Sequence, residues 1–267
     1  RMERKILWGL TNAQVSMLLF ILAGIIIFLI IRWRVVGEEP QPYPYFAKEN
    51  RHDGELIKLF SLAGLLVSYL IITVAIIHLT RVMYVWQWPF QPVSSLAEAY
   101  GRIGYYAPIL LIPIYSLYWL KKSRVSIRDK IQWGRFSWLF IVALAVSAYY
   151  AIELLLLRDV NLRGPAFWPP VVIMSAMNAV SEEIMYRLAL YELLRRASYS
   201  KFTSNVVQSL VYSLIHFMIA GPVLGIFSLA YGFLLGAVRE RTGSIVPAIL
   251  CHFIIDLGAI GMPLLRH

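Results

Sequence analysis

The sequence predicts an all-α, polytopic integral membrane protein with about eight transmembrane helices. Three observations carry this. Of its 267 residues 59% are hydrophobic and only 15% are charged, against roughly 45–50% and about 25% in soluble domains. The apolar residues fall into runs near the length of about 20 that crosses a bilayer. Charged residues collect between those runs. A soluble domain of this length could not bury so much apolar surface, and disorder is excluded on the same figures. The single cysteine excludes a disulfide framework and a multi-cysteine metal site.

The spans run in order as follows. Residues 15–31 form the first, preceded by basic residues and followed by Arg32-Trp33-Arg34 rather than by a small-residue cleavage site, so it is not a signal peptide. Residues 32–55, with Pro40, Pro42 and Pro44, form the longest loop, and residues 56–79 the second span. Residues 105–120 give a shorter third span interrupted by Pro108 and Pro113, tilted or re-entrant. Residues 138–157 give the fourth. A long helix over 165–196 opens near Pro169-Pro170, as a first turn allows. Spans at 202–220, 223–238 and 244–265 complete the set, separated by Gly221-Pro222 and by residues 239–243. Closed hydrogen bonding within each segment makes helices the natural solution in lipid.

Orientation follows from Lys and Arg. Four loops on one side hold sixteen of the chain's 25 basic residues, so that side is predicted cytoplasmic and both termini lie outside. The net charge of +10 then reflects loop composition rather than a nucleic-acid partner. The predicted location is an integral position in a prokaryotic plasma membrane.

Ionisable residues inside a span are costly and usually face a cavity, a partner or a substrate. In the first four helices only His78 and Glu153 stand out, both near predicted helix ends where snorkelling or a misplaced helix boundary accounts for them. The second half differs. Ser181-Glu182-Glu183-Ile184-Met185-Tyr186-Arg187 places two carboxylates and a guanidinium in a helix interior. Adjacent residues point about 100° apart, so Glu182 and Glu183 are not expected to share one partner. Glu183 and Arg187, four apart, can pair along the helix, leaving Glu182 without a local counter-ion. Asn178 lies one turn earlier on the face of Glu182. The next span carries Tyr212 and His216, and the last carries His252 and Asp256, each pair one turn apart. At about 1.5 Å per residue, Glu182 and His216 lie roughly 20 Å into their helices and His252 roughly 12 Å. An acid and two imidazoles from three helices thus reach similar depth. Taken singly, each has a plainer explanation: an ion-pair network that glues helices, or a histidine making an interhelical hydrogen bond. Cys251 is most simply a packing residue.

Glu-Glu-x-x-x-Arg at Glu182–Arg187, aromatic-x-x-x-His at Tyr212–His216 and His-x-x-x-Asp at His252–Asp256 together resemble the CAAX protease and bacteriocin-processing (ABI) family. The resemblance divides the chain into 165–267, a CAAX-protease-like core, and 1–164, N-terminal helices that match nothing recognisable. It implies an intramembrane endopeptidase with no covalent intermediate. Glu182 would activate water with the help of His216. His252 and Asp256 would stabilise the oxyanion, Glu183 and Arg187 would fix the geometry, and Asn178 and Tyr212 are assigned to substrate binding. Two positions depart from the family pattern: Tyr212 stands for the common Phe, and Asp256 for the Asn of CAAX endopeptidases. An ionised aspartate cannot donate to an oxyanion, so Asp256 would orient His252 or act protonated. Glu182, His216 and His252 are also the ligand types of a zinc site, but they lack the local His-x-x-x-His spacing, and the metal-free form is favoured. The substrate implied is a membrane-associated peptide or a prenylated C-terminus. Two alternatives remain: a non-catalytic accessory or assembly subunit of a larger membrane complex, and a transporter with a Glu/His proton relay, which the lack of a recognisable repeat disfavours.

Overall fold

The computed structural model describes residues 92–122, 125–156, 162–196 and 199–266. The predicted spans at 15–31 and 56–79, the loop between them and His78 lie outside these residues. Among the described residues the fold is all helical, with one isolated bridge between Leu162 and Arg266.

Helix α1 (Leu96–Tyr106) starts at Ser95, whose hydroxyl accepts from the Glu98 amide at 3.2 Å. A 3-10 turn (Ala107–Leu110) absorbs Pro108, and α2 (Leu111–Lys122) continues with Pro113 in its first turn. The expected short span is therefore a 26-residue one, Leu96–Lys121. It begins nine residues early because each proline falls where no helical N–H is needed. Helix α3 (Trp138–Leu156) follows. Glu153 is buried in its penultimate turn and does not snorkel. Helix α4 (Trp168–Glu183) enters from a 3-10 turn at Pro165–Phe167 and passes without interruption into a π-helical segment, Ile184–Leu190, and then α5 (Tyr191–Arg196). The predicted 165–196 helix is thus continuous but changes winding in the middle. Helix α6 (Lys201–Ala220) is capped by Ser200 and ends at Gly221, where φ is +85°. Helix α7 (Pro222–Thr242) ends at the left-handed Gly243. Helix α8 (Val246–Ala259) bends at Ile260 into the short α9 (Gly261–Leu265).

Among the described residues four helical stretches are long and apolar enough to cross a membrane: Leu96–Lys121, Trp138–Leu156, Pro222–Thr242 and Val246–Leu265. The α4–α5 stretch and α6 fall short by composition, because they carry the polar residues of the interior. Large apolar side chains such as Leu111, Ile114, Ile141, Leu214 and Ile226 remain exposed along the flanks, as a lipid-facing surface requires. The chain is an integral membrane protein.

The two ends of the bundle are tied differently. At one, the 125–137 loop meets the α7–α8 turn: Arg135 donates to the Thr242 carbonyl at 2.8 Å and Ile245 to that of Lys130 at 2.9 Å. Glu192 pairs there with Arg239 and lies 3.8 Å from Lys130. Partial burial and the neighbouring Arg239 hold the Lys130 ammonium below its ordinary pKa. At the other end Val93 donates to the Pro263 carbonyl at 3.0 Å and Arg163 to that of Leu265 at 2.7 Å. Between them lie apolar clusters joining α3, α7 and α8, then α2, the π segment and α6, then α1, α4 and α9. Packing therefore runs across the boundary between residues 164 and 165, where the sequence resemblance begins.

Candidate active site

The polar interior is assembled from α4, α6 and α8. Glu183, with no exposed surface, accepts from His252 Nδ1 at 2.7 Å and lies 3.0 Å from Arg187 Nη1. Arg187 is equally buried, and its guanidinium sits 4.3 Å above the Tyr212 ring. Gly232 on α7 makes room for both, since a Cβ there would meet Tyr212 at 2.9 Å and Arg187 at 3.2 Å. A buried carboxylate thus holds a guanidinium on one side and an imidazole on the other.

Fixing Nδ1 aims the opposite corner of the ring. His252 Nε2 lies 3.6 Å from Glu182 Oε2 and 3.7 Å from Asp256 Oδ2. Glu182 and Glu183 therefore do share a partner, contrary to the expectation from their 100° separation. The reason is that imidazole offers two nitrogens pointing in different directions, so one ring placed between two helical faces meets both carboxylates. His216 Nε2 approaches Glu182 Oε2 from α6 at 4.0 Å. Its Nδ1 lies 2.9 Å from the Tyr212 carbonyl. A carbonyl only accepts, so Nδ1 carries the proton and Nε2 of the neutral ring presents a lone pair.

Asn178 donates to Asp256 Oδ2 at 2.9 Å, and its own oxygen accepts from Tyr106 at 2.5 Å. Asp256 is thus an acceptor anchored by Asn178. At 3.7 Å it does not hydrogen-bond His252, and Glu183 orients that ring instead.

These groups border a cavity of about 240 Å³ lined by Asn178, Glu182, Tyr212, His216, His252 and Asp256. Glu183 and Arg187 stand behind its wall. Glu182 Oε2 is buried and has no hydrogen-bond partner among the described residues. A carboxylate oxygen with two imidazole nitrogens within 4.0 Å, on the wall of a cavity that admits water, can take a proton from that water. Sequence reasoning missed Arg102, Tyr106, Tyr150, Ser228 and Tyr231, which also line the cavity. For Arg102 and Tyr106 a signal existed: Ser95-Leu96-Ala97-Glu98 is a capping sequence that starts the helix before both. Arg102 falls between the predicted spans at 56–79 and 105–120, yet it is 2% exposed inside α1.

The metal question can be put to the donors. Glu182, His216 and His252 supply the residue types of a zinc site, and His252 has the carboxylate-backed geometry that metal ligands favour. Yet among the described residues no three His, Cys, Asp or Glu side chains are arranged to hold an ion. The donor set fits in kind and not in arrangement.

Residues 164–258 match a family model described as Rce1-like, type II CAAX prenyl endopeptidase Rce1-like. No curated protein and no solved structure matches the chain. The matched segment contains the two carboxylates, Arg187, both histidines and Asp256, and the family's general activity is proteolysis within the membrane. Over residues 164–258 the chain is thus similar to the CAAX prenyl endopeptidases, in agreement with the resemblance that its Glu182–Asp256 motifs carry to the CAAX protease and bacteriocin-processing family.

Proposed function

We propose that the chain is an intramembrane endopeptidase in which Glu182 activates the hydrolytic water. The observation that carries this is the placement of Glu182 Oε2, buried on the cavity wall between the Nε2 atoms of His216 and His252. Water gives one proton to Glu182 and hydrogen-bonds the Nε2 lone pair of His216 with the other. The resulting hydroxide attacks the scissile carbonyl carbon. His252, anchored at Nδ1 by Glu183, presents Nε2–H to the developing oxyanion. The tetrahedral intermediate collapses, the C–N bond breaks, and the proton held by Glu182 passes to the leaving amine. Asp256 and Asn178 position the wall opposite, and Arg187 with Glu183 keeps His252 in place.

The substrate we propose is a membrane-associated peptide or a lipidated C-terminal segment, reached within the lipid. No step requires a metal. Residues 165–267 supply the chemistry and the helices of 1–164 gate or dock the substrate. The basic loops face the cytoplasm. The test is cleavage of membrane-associated peptides by the purified chain in lipid nanodiscs, followed by mass spectrometry with and without a zinc chelator. Cleavage unaffected by the chelator is expected. Loss of cleavage on chelation would overturn the metal-free mechanism, and a fixed-ratio complex that cleaves nothing would favour the accessory role.

A further inference from the structure

The loop that joins α2 to α3 is held through its backbone. The Arg135 amide donates to the Thr242 carbonyl at 2.8 Å and the Ile245 amide to that of Lys130 at 2.9 Å. The Ser244 hydroxyl donates to the Gln132 carbonyl. Gly134, at φ +79°, passes so close to the α7–α8 turn that a Cβ would meet the Thr242 oxygen at 2.6 Å. With its backbone seated on that turn, the loop carries its large side chains outward. Ile131, Trp133, Phe136 and Trp138 are 51%, 61%, 82% and 53% exposed. Apolar surface concentrated in this way marks a contact. It continues the lipid-facing flank, because Trp138 opens the spanning helix α3 and Ile141, one turn on, is also exposed.

Charge decides which lipid fits. Arg128 and Arg135 in the loop and Lys121 at the end of α2 are exposed, while Lys130 lies 3.8 Å from Glu192. Asp129 is the loop's one acid and accepts from the Ser126 hydroxyl at 3.0 Å. Lys121 also lines an open groove whose other walls are Ile114, Leu117, Tyr118, Val125 and Ile127. Since Lys121 ends the span, its ammonium stands at the outer end of an apolar trough. That shape takes an acyl chain below an anionic headgroup. Aromatic rings beside cations at a helix end are the residues that lodge in the headgroup layer.

We propose that the 125–137 loop, with Trp138 and Lys121, is a docking face for anionic phospholipid. Its aromatic side chains sit in the headgroup layer, and Lys121, Arg128 and Arg135 hold the phosphate groups. The proposal stands apart from the peptidase assignment, since none of these residues borders the cavity at Glu182.

A depth measurement tests it without turnover. The full chain carrying Phe136→Cys is labelled with a nitrobenzoxadiazole dye and placed in nanodiscs of mixed phosphatidylcholine and phosphatidylglycerol; Cys251 is buried and stays unlabelled. Asp129→Cys is labelled as the aqueous reference, and Ile131→Cys supplies a second apolar site should Phe136→Cys fail to fold. The apolar-site label is expected to be quenched by lipids with a doxyl group near the headgroup and protected from aqueous dithionite, and the Asp129→Cys label the reverse. Doxyl phosphatidylglycerol is expected to quench about fivefold more strongly than doxyl phosphatidylcholine at equal mole fraction. That difference is expected to vanish when Lys121→Gln, Arg128→Gln and Arg135→Gln are combined. An apolar-site label as open to dithionite as the reference would put the face in water. Protection from dithionite without doxyl quenching would put protein over it, either a second copy or another segment of this chain. Equal quenching by the two doxyl lipids, or a preference that survives the triple substitution, would remove the role of charge. Each of these results overturns the proposal.

Discussion

A buried histidine held between two carboxylates has its ring orientation decided by whichever contact is a true hydrogen bond. For His252 that is Glu183 at 2.7 Å, whereas Asp256 stands at 3.7 Å. Asp256 therefore matters mainly as the acceptor for the Asn178 amide. An asparagine can accept that bond equally well through its own oxygen. Asp256→Asn is expected to keep kcat/KM within about tenfold and to leave the melting temperature near that of the parent. Asp256→Leu strands the buried Asn178 amide and is expected to cost about 1–3 kcal/mol. Thermal unfolding and peptide turnover on the same preparations check both. A large loss in Asp256→Asn would show that the charge itself is used in catalysis.

Helix α7 crosses α6 closely enough that α6 side chains bond its backbone. Asn205 donates to the Phe233 carbonyl at 3.1 Å, Gln208 to that of Gly232 at 3.2 Å and Ser213 to that of Gly225 at 2.7 Å. A Cβ on Gly236 would fall 1.8 Å from Asn205 Oδ1. Gly236→Ala is expected to destabilise the protein by about 3 kcal/mol. Gly101→Ala in α1, where nothing lies within 4 Å of the new Cβ, is expected to stabilise by about 0.5–1 kcal/mol. Paired thermal melts check the contrast, and equal effects would contradict the packing described.

Much at this scale was legible in the residues. Trp138–Leu156 and Lys201–Ala220 form helices within a residue of the sequence expectation, because their ends are marked by composition and caps. Gly232-x-x-x-Gly236 is a small-residue spacing typical of close helix contacts in membranes, a mark the sequence itself carries. The π segment Ile184–Leu190 left no such mark. Residue types alone do not show where i→i+5 bonding replaces i→i+4, although the Glu183–Arg187 pair expected from helical spacing is formed.

At the scale of the whole molecule, three basic segments predicted to face the cytoplasm gather at one end, through Lys130, Glu192, Arg239 and the Thr242 carbonyl. The residues that bring the cavity outward, Arg102, Pro263 and Leu264, belong to the other. Cysteines placed at exposed Arg128 and Ser94 should therefore react with a membrane-impermeant maleimide from opposite faces, Arg128→Cys from the cytoplasm. Buried Cys251 keeps the background low. Labelling of both from one face would contradict the arrangement. The juxtaposition of Glu182, His216 and His252 was legible from residue type, spacing and depth. The division between a cavity wall and a supporting layer was not, because it depends on the ring of His252 pointing one nitrogen each way.

The most direct measurement is peptide turnover by Glu182→Gln beside the parent chain in nanodiscs, with the melting temperature of each. The amide keeps the shape of the side chain and removes the base. Turnover is expected to fall by about a thousandfold with an unchanged melt. Turnover within a few-fold of the parent would contradict the assignment of Glu182 as the group that activates water.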